Sequence, residues 1–421
     1  MTASPRGLEV GDSVVVDVGP VAHGGHCVAR HEGRVLFVRH TLPGERVVAR
    51  ITGIGAGGRF LRADAVEVHT ASPDRREAPC PVAGPGGCGG CDWQHVDPQA
   101  QRRLKADVVS EQLRRLGGVE REVVVEAVPG DVDGLRWRTR VGFGADAEGR
   151  LGLRRHHGHD VVPVERCLLA TDEVDAVGAT RTTWPAGSSV SVVASSLGDT
   201  ALRLDPPPAT RRAKDRLLAA VPEGTAVLGV RGSARVRERV EQRELLVAAD
   251  GFWQVHPGAP HALVSAVRDG LEPRPGDHLL DLYAGAGLFA VALADELGPG
   301  GRVDAVEHDP AGASAARRNV HDLPTVHVHE GRVDRWLTQA GPKRCDLVVL
   351  DPPEAGAGEK VLARVARLSP RRLVYVACDP AALGRDVAVL AGLGWSLQGL
   401  RALDLFPTTH HVECVATFAP A

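Results

Sequence analysis

Two short runs near the C-terminus carry residues that could act together on a substrate. Residues 375–380 read YVACDP, which places Cys378 at the end of an apolar strand pattern, and residues 410–413 read HHVE. A cysteine at a strand end is placed as a nucleophile, and Glu413 on a following strand can return to the same pocket as a base. A thiolate adds to C6 of a uracil ring, and a carboxylate can take the C5 proton after C5 is methylated. The two runs therefore predict covalent catalysis on a pyrimidine.

A cofactor pocket is predicted upstream of this pair. Residues 279–290 read LLDLYAGAGLFA, an apolar strand that enters a glycine loop and then a helix. Glu307 ends the next strand, where it can accept hydrogen bonds from ribose hydroxyls. Asp281 precedes the loop, which suits a cationic sulfonium, and residues 351–353 (DPP) end the fourth strand with an acidic Pro-Pro motif typical of methyltransferases. The pattern favours S-adenosylmethionine, while the match to G-x-G-x-x-A leaves an NAD-binding oxidoreductase as a rival that a titration with NAD would test.

A cysteine cluster is predicted nearer the N-terminus. Cys80, Cys88 and Cys91 lie in the run CPVAGPGGCGGC, and Cys167 is a fourth candidate. The glycines let the backbone turn sharply and bring amides close to sulfur. Four thiolates suit either tetrahedral zinc or an iron–sulfur cluster, and the spacing alone does not choose between them.

The fold class predicted from these patterns is α/β with additional domains. Residues 7–68 alternate like the short strands of a small β-barrel, and residues from 251 onward alternate strand and helix as in a doubly wound domain. We predict three domains: a barrel over residues 1–70, a mixed central domain over residues 71–250, and the cofactor-binding domain over residues 251–421. Seven strands are predicted in the last domain, at residues 278–283, 302–307, 325–329, 346–351, 373–377, 395–403 and 411–418.

The composition limits the other classes of function. The 421 residues carry a net charge of −3, so any contact with nucleic acid must use local basic patches. No apolar run reaches the length needed to span a bilayer, and we expect a cytoplasmic monomer without membrane contact. Eight cysteines in such a chain indicate metal binding or catalysis more than disulfides.

Two basic stretches are candidates for contact with RNA. Residues 136–140 read RWRTR and residues 154–157 read RRHH. Arginine can pair with phosphates or stack on bases, and Trp137 is a candidate to stack on a splayed base. The alternative is a solvated arginine-rich surface without a ligand, and the sequence pattern alone does not choose between the two. An enzyme acting on C5 must extract its uridine from the stack, which these residues would assist.

Taken together, the motifs resemble those of the bacterial RNA 5-methyluridine (uracil-C5) methyltransferases that carry an N-terminal TRAM domain and an iron–sulfur cluster. The resemblance covers essentially the whole chain. It rests on residues 33–38 (GRVLFV) with 42–45 (LPGE), residues 88–95 (CGGCDWQH), residues 252–255 (FWQV), residues 351–353, the Cys378 run, and residues 406–413 (FPTTHHVE).

The resemblance implies a role for each candidate residue. Cys378 would be the nucleophile and Glu413 the base, in a Rossmann-like class I methyltransferase domain. The contacts to S-adenosylmethionine would come from Gln254, Tyr283, Glu307 and Asp351. The ligands of a four-iron, four-sulfur (4Fe-4S) cluster would be Cys80, Cys88, Cys91 and Cys167. Family members that modify ribosomal RNA typically have both the TRAM domain and the cluster, and the bacterial tRNA branch typically lacks both, so the resemblance favours ribosomal RNA over tRNA as partner.

The chain also departs from the family pattern at four positions. Glu354 stands where an arginine is usual, His256 where an asparagine is common, and Leu288 where many members have a small polar residue. Arg332 follows the third strand without the usual acidic or amide partner for adenine. A cytosine-C5 methyltransferase would carry a cysteine near residues 351–354, and none is present. A non-catalytic RNA-binding protein that keeps the fold is the remaining alternative.

Overall fold

The N-terminal region forms a closed β-barrel, as predicted. The computed structural model describes residues 8–156 and 158–421; residues 1–7 of the predicted barrel region and His157 of the second basic stretch lie outside the described residues. The strand order is β1-β2-β3-β5-β4, and β4 closes the barrel by pairing with β1. The side chains alternate between a buried and a solvent face, as a barrel requires. The strands are β1 (Ser13–Val21), β2 (Cys27–His31), β3 (Arg34–Arg39), β4 (Arg46–Ile54) and β5 (Phe60–Thr70), with a 3₁₀ turn at Ala56–Gly58.

The middle of the chain contains two sheets and several short helices. A six-stranded sheet has the order β12-β11-β10-β7-β8-β9, and β13 and β14 form a separate hairpin. The elements in chain order are α1 (Pro98–Gln112), a π-helical turn (Leu113–Gly117), β6 (Val125–Ala127), β7 (Arg140–Ala145), β8 (Leu151–Arg154), β9 (Val161–Pro163), α2 (Asp172–Ala176), a 3₁₀ turn (Ala179–Arg181), β10 (Ser189–Ala194), β11 (Thr200–Asp205), α3 (Arg211–Ala219), β12 (Ala226–Val227), β13 (Arg235–Val240) and β14 (Arg243–Ala248).

The C-terminal region alternates strands and helices around an eight-stranded sheet of order β17-β16-β15-β18-β19-β21-β20-β6. Strands β15 to β19 are parallel. Strands β15, β16, β18 and β19 are largely buried on both faces, which explains their mostly apolar sequences, whereas the edge strand β17 is partly exposed. The elements are α4 (Ala259–Leu271), β15 (His278–Leu282), α5 (Leu288–Leu297), β16 (Arg302–Glu307), α6 (Pro310–Asn319), β17 (Val326–Glu330), α7 (Val333–Gln339), β18 (Leu347–Leu350), α8 (Gly358–Arg367), β19 (Arg372–Ala377), α9 (Pro380–Gly392), β20 (Trp395–Asp404) and β21 (Glu413–Pro420). The doubly wound α/β prediction is confirmed.

One strand from the predicted central domain belongs to the C-terminal sheet. Strand β6 pairs in parallel with the end of β20. Val109 and Leu113, near the end of α1, are fully buried in the same apolar core as Tyr375 of β19. The segment that follows the cysteine-rich loop therefore packs directly against the sheet that carries Cys378.

Helix α1 also holds the loop between β20 and β21, residues 405–412. The buried Lys105 ammonium donates hydrogen bonds to the Asp404 carboxylate (2.6 Å) and the Phe406 carbonyl (3.0 Å). The Gln101 side-chain carbonyl accepts a hydrogen bond from the Thr408 amide at 2.7 Å. Buried ion pairs and hydrogen bonds are costly to break, so this loop enters β21, and hence Glu413, in a defined position.

Among the described residues, none of the helices combines the length and the apolar character that crossing a membrane demands.

Candidate active site

A cleft of about 1460 Å³ opens at the carboxyl ends of the parallel strands. Ligands bind at this edge of open α/β sheets because the strand–helix turns leave space there. All six residues predicted for catalysis or cofactor binding line this one cleft: Gln254, Tyr283, Glu307, Asp351, Cys378 and Glu413. Their roles stay predictions, but the proximity on which those roles depend is present.

The pairing of β19 with β21 brings Cys378 and Glu413 together. The two strands are antiparallel, and Ala377 lies opposite Cys414. One further step along the same register places Cys378 opposite Glu413, and directly opposed residues have Cα atoms about 4.5–5.5 Å apart. Cys378 is partly exposed to the cleft, while Glu413 is buried. The thiol is therefore accessible to a substrate, and the carboxyl group is shielded from water beside it.

Burial governs the protonation of the pair in the ligand-free protein. Desolvation, together with the nearby Glu413, Asp351 and Glu354 carboxyls, raises the pKa of the Cys378 thiol to about 12. The pKa of Glu413 is raised well above its usual value, first by burial and then by Asp351. Burial thus favours the protonated form of both groups in the ligand-free protein, and a carboxylate with a raised pKa is a stronger base once it is ionised.

The glycine loop after β15 forms the cofactor side of the cleft. One Glu307 carboxylate oxygen accepts a hydrogen bond from the Gly285 amide at 2.8 Å, and the other accepts one from the Asp309 amide at 2.6 Å. Gly285 has a φ of +55°, and a Cβ added there would enter open space. The loop is therefore rigid and leaves room for a ligand to approach its backbone closely.

Two acidic groups flank this loop. Asp281 is fully buried, and one of its oxygens accepts a hydrogen bond from the Ala290 amide at 2.9 Å while the other has no partner. Burial raises the pKa of Asp281 to about 7, and it raises that of Asp351 to the same value. Buried carboxyl groups that lack a cationic partner are suited to a cationic ligand, whose charge would favour their ionised forms.

Two of the four departures from the family pattern are packing residues in this structure. Leu288 begins α5 and is buried beside the cleft. His256 is 1% exposed, and burial lowers its pKa to about 4, so its ring is neutral. Its Nδ1 accepts a hydrogen bond from the Gly258 amide at 3.1 Å. Neither residue brings a charge to the cleft.

The prediction that Trp137 stacks on a splayed base is wrong. Trp137 is 1% exposed and stacks on His256, with ring centroids 6.0 Å apart, while Phe406 packs edge-on against it. Burying the large Trp137 ring in the wall of the cleft is more favourable than exposing it to solvent. The sequence could not show whether the ring points into the protein or towards a ligand. Of the RWRTR stretch, Arg138 lines the cleft, whereas Arg140 donates hydrogen bonds to the carbonyls of residues 248, 249 and 251.

Sequence reasoning missed Asp334, which lies on the wall of the cleft opposite the glycine loop. It sits in the first turn of α7, and its carboxylate forms a two-point ion pair with Arg332, with both N–O distances 3.1 Å. This acidic residue follows Arg332 by two positions. Its position in the first turn of the following helix was the available signal.

Four cysteines line a second, small cavity. Cys80, Cys88, Cys91 and Cys167 all face it, as predicted for the cluster, and each is a free thiol. The Gly90 amide lies 3.3 Å from the Cys88 sulfur, and the Gln94 amide nitrogen 3.2 Å from the Cys91 sulfur. Within the residues that the structure describes, no three His, Cys, Asp or Glu side chains converge tightly enough to hold a single metal ion.

The cysteines outside the cleft and the cysteine cavity are packing residues. Cys27 is buried in the barrel, and Cys345 and Cys414 are buried in the C-terminal sheet.

Two family models match the chain. Residues 7–66 match the TRAM domain, and residues 340–419 match the tRNA (Uracil-5-)-methyltransferase family. The first match covers the barrel, and the second covers strands β18 to β21, including Cys378 and Glu413.

Curated relatives match over almost the whole chain. An uncharacterised RNA methyltransferase of Streptomyces coelicolor is 49% identical, and the match covers 98% of this chain and 94% of that protein. The 23S rRNA (uracil(1939)-C(5))-methyltransferase RlmD of Pseudomonas putida is 32% identical, with the same two coverages of 98% and 94%.

One solved structure matches along the whole length. The Pyrococcus abyssi tRNA (uracil-54, C5)-methyltransferase, in complex with S-adenosyl-L-homocysteine, superposes with a TM-score of 0.70 over 96% of this chain and 100% of that one. The two chains are 21% identical, so this likeness establishes the fold alone.

Proposed function

The chain belongs to the family of S-adenosylmethionine-dependent RNA uracil-C5 methyltransferases, and from that premise we propose that it methylates a uridine of 23S ribosomal RNA through a covalent bond to Cys378. The observation that carries this proposal is the register that sets Cys378 opposite Glu413 in the cleft. The choice of ribosomal RNA is supported by the Pseudomonas putida relative, which is a 23S rRNA enzyme.

The proposed reaction begins with the thiol of Cys378. Its proton leaves to solvent through the open cleft as the Sγ–C6 bond forms, and the electrons of the C5–C6 double bond move into an enolate. C5 then carries both its proton and a methyl group, and Glu413, which must be ionised for this step, takes that proton. The electron pair released at C5 restores the double bond as the Sγ–C6 bond breaks, and Cys378 is regenerated. Bound S-adenosylmethionine supplies the electrophilic methyl group.

Four residues are proposed to hold the cofactor. Glu307 lies at the end of β16, where it can accept hydrogen bonds from ribose hydroxyls while it braces the glycine loop. Tyr283 and Gln254 line the walls of the cleft, and Asp351 lies between the cofactor loop and Cys378. Asp351 is therefore placed to meet either the methionine amine or the edge of the uracil.

The affinity for S-adenosylmethionine should rise with pH. Asp281 and Asp351 have pKa values of about 7 in the ligand-free protein, so they are largely neutral below that pH. A sulfonium cation binds the ionised carboxylates better, so binding should strengthen by up to about tenfold per pH unit for each coupled carboxylate as the pH rises through 7. Calorimetric titration across this range checks the prediction, with two controls.

The Asp351→Asn variant should show a weaker pH dependence of S-adenosylmethionine affinity. The wild type should show a weaker pH dependence with S-adenosylhomocysteine, which lacks the sulfonium charge. An equally steep profile in the two controls and in the wild type with S-adenosylmethionine would refute the assignment.

The cysteine cavity fits an iron–sulfur cluster better than zinc. Zinc draws its thiolates to about 2.3 Å from one point, whereas a cluster binds each thiolate to a different iron atom. The four cysteines line one cavity, and N–H groups of Gly90 and Gln94 point at the sulfurs of Cys88 and Cys91. Such hydrogen bonds stabilise the anionic sulfurs of a cluster. Cys80, Cys88, Cys91 and Cys167 would hold the cluster, whose chemistry here would be to cross-link the loop at residues 80–91 to Cys167.

Protein purified without oxygen should contain about four iron and four sulfide per chain. Cys88→Ala should remove most of this iron, because the loss of a thiolate leaves one iron without its protein ligand. Cys27→Ala, in the core of the barrel, provides the matched control and should keep the iron. Elemental analysis decides the outcome, and zinc in stoichiometric amount, or no metal at all, would contradict the assignment.

Nucleoside mass spectrometry tests the proposed substrate. The protein is incubated with S-adenosylmethionine and, separately, with unmodified 23S ribosomal RNA and unmodified tRNA transcripts. We expect 5-methyluridine in the ribosomal RNA. Its appearance in tRNA alone would replace the ribosomal assignment with the tRNA one, and no methylated nucleoside in either RNA would favour the non-catalytic RNA-binding alternative.

A further inference from the structure

The turn between β1 and β2, residues 22–26, reaches from the barrel to the segment that carries Cys378. The His23 imidazole Nε2 lies 2.6 Å from the Asp379 carboxylate. Asp379 directly follows Cys378 and caps α9, where its other oxygen accepts a hydrogen bond from the Ala382 amide at 2.6 Å. The barrel thus contacts the residue that fixes the turn immediately after the cysteine.

The same turn contacts the segment that precedes Glu413. Gly25 has a φ of +80°, and a Cβ added there would lie 2.5 Å from the Cβ of His410. The Gly25 carbonyl also accepts a hydrogen bond from the Trp93 indole at 2.9 Å, and the neighbouring Asp92 binds the His410 ring at 2.7 Å. Only glycine fits this close approach.

The barrel therefore contacts the segment that follows β19 and the segment that precedes β21, next to Cys378 and Glu413. We infer that the β1–β2 turn is part of the active-site scaffold and that His23 is a positioning residue for Cys378, acting through Asp379. An interaction surface that served only to tether RNA would not require contact with either segment. The catalytic consequence of this inference rests on the proposed function, whereas its structural part does not.

The charges around His23 strengthen the contact in its ionised form. The hydrogen bond to Asp379 and the negative charges of Asp379 and Glu354 raise the pKa of His23. Burial and the positive charge of Arg385 act in the opposite direction. His26 is the other titratable residue on this turn. Since the pKa of the folded form is raised, the ion pair is complete at lower pH and weakens as the pH rises through that pKa. His23 is 42% exposed, so solvent screens part of the effect.

Hydrogen–deuterium exchange on the full-length protein tests the structural part. In His23→Ala we expect several-fold faster exchange of the amides at residues 379–384, because Asp379 loses the partner that orients its cap. His69→Ala, an exposed histidine on the same barrel that pairs with Glu67, should leave these amides unchanged. If His23→Ala does not fold, Gly25→Ala can be used instead. Its added methyl group should displace His410, so we expect faster exchange of the amides at residues 406–413. Unchanged exchange at the tested segment would overturn the inference.

Single-turnover methylation with saturating RNA tests the catalytic part. We expect His23→Ala to slow methyl transfer on the order of tenfold with unchanged RNA affinity, because small displacements of a nucleophile are costly. His23→Gln, which keeps a neutral donor, should recover most of this rate, and the advantage of the wild type over it should shrink as the pH rises. A loss confined to RNA affinity would mean that the barrel only tethers RNA. A wild type without activity on any RNA would refute the proposed function, and the exchange experiment would still decide the positioning role.

Discussion

Replacing Cys378 with Ala should abolish methyl transfer, with a loss of turnover on the order of 10⁴-fold or more. The reason is that C5 of uracil is not nucleophilic until a group adds to C6, and Cys378 is the thiol that faces the cleft opposite Glu413. The variant should still bind S-adenosylmethionine and RNA, because neither contact depends on the sulfur. Methyl incorporation into RNA, measured beside the two affinities, checks this prediction.

A second cysteine in the same sheet provides the control. Cys345 precedes β18 and is 5% exposed in the core beneath the cleft. Cys345→Ala should lower stability by about 1 kcal/mol through lost packing and leave turnover within about twofold. Full activity of Cys378→Ala would exclude the covalent mechanism, and an equal loss in both variants would show that the effect is structural.

Replacing Glu413 with Gln should trap the reaction at its last stage. The amide has nearly the shape of the carboxyl group but cannot take the C5 proton, so the Sγ–C6 bond cannot break by elimination. Turnover should fall on the order of 10³-fold, while a covalent complex between protein and unmodified-uridine RNA accumulates. A denaturing gel detects the complex, and about one S-adenosylhomocysteine should be released per protein in a burst.

The control for this variant is Glu330→Gln at the end of β17. Glu330 is exposed and pairs with Arg317 at 3.2 Å, so its loss should leave turnover unchanged. A Glu413→Gln variant that loses activity without any covalent complex would show that Glu413 acts before methyl transfer, and the assignment of the C5 base would fail.

The residues of the cleft were predictable because their chemistry is encoded locally. Cys378 ends a strand and Glu413 begins another, and parallel strands deliver their carboxyl ends to one edge of the sheet. The sequence does not show which residues of the two strands lie opposite each other. The structure supplies this register, in which β21 is antiparallel and lies between β19 and β20. The strand limits differ from the predicted ones by at most two residues at either end, as is usual where strands fray into turns.

Contacts between residues that are far apart in the sequence could not be predicted. The arginine-rich stretch around Trp137 suggested that its ring stacks on RNA, but the ring is buried against His256. His256 lies more than a hundred residues further along the chain, so the local sequence does not reveal this contact. The contact of His23 with Asp379 joins residues 356 positions apart, and the pairing of β6 with β20 is similarly remote. No local pattern reports such contacts, because they form only when the domains pack.

The cysteine cavity could be predicted from the sequence only in part. The sequence identifies the four residues, since three thiols in a glycine-rich run are seldom placed together without a ligand. The structure adds that Cys167 faces the same cavity as the other three. The sequence could not show this, because Cys167 lies 76 residues after Cys91. The choice of an iron–sulfur cluster over zinc stays a proposal that the iron analysis tests.

Trapping with 5-fluorouridine tests the central claim most directly. Ribosomal RNA that carries 5-fluorouridine is incubated with the protein and S-adenosylmethionine, and the complex is digested with protease and nuclease for mass spectrometry. Because fluorine cannot leave C5 as a proton does, we expect a methylated fluoropyrimidine bound to the peptide that contains Cys378. A nucleotide bound to any other residue, or product formed without a covalent complex, would contradict the assignment of Cys378 as the nucleophile.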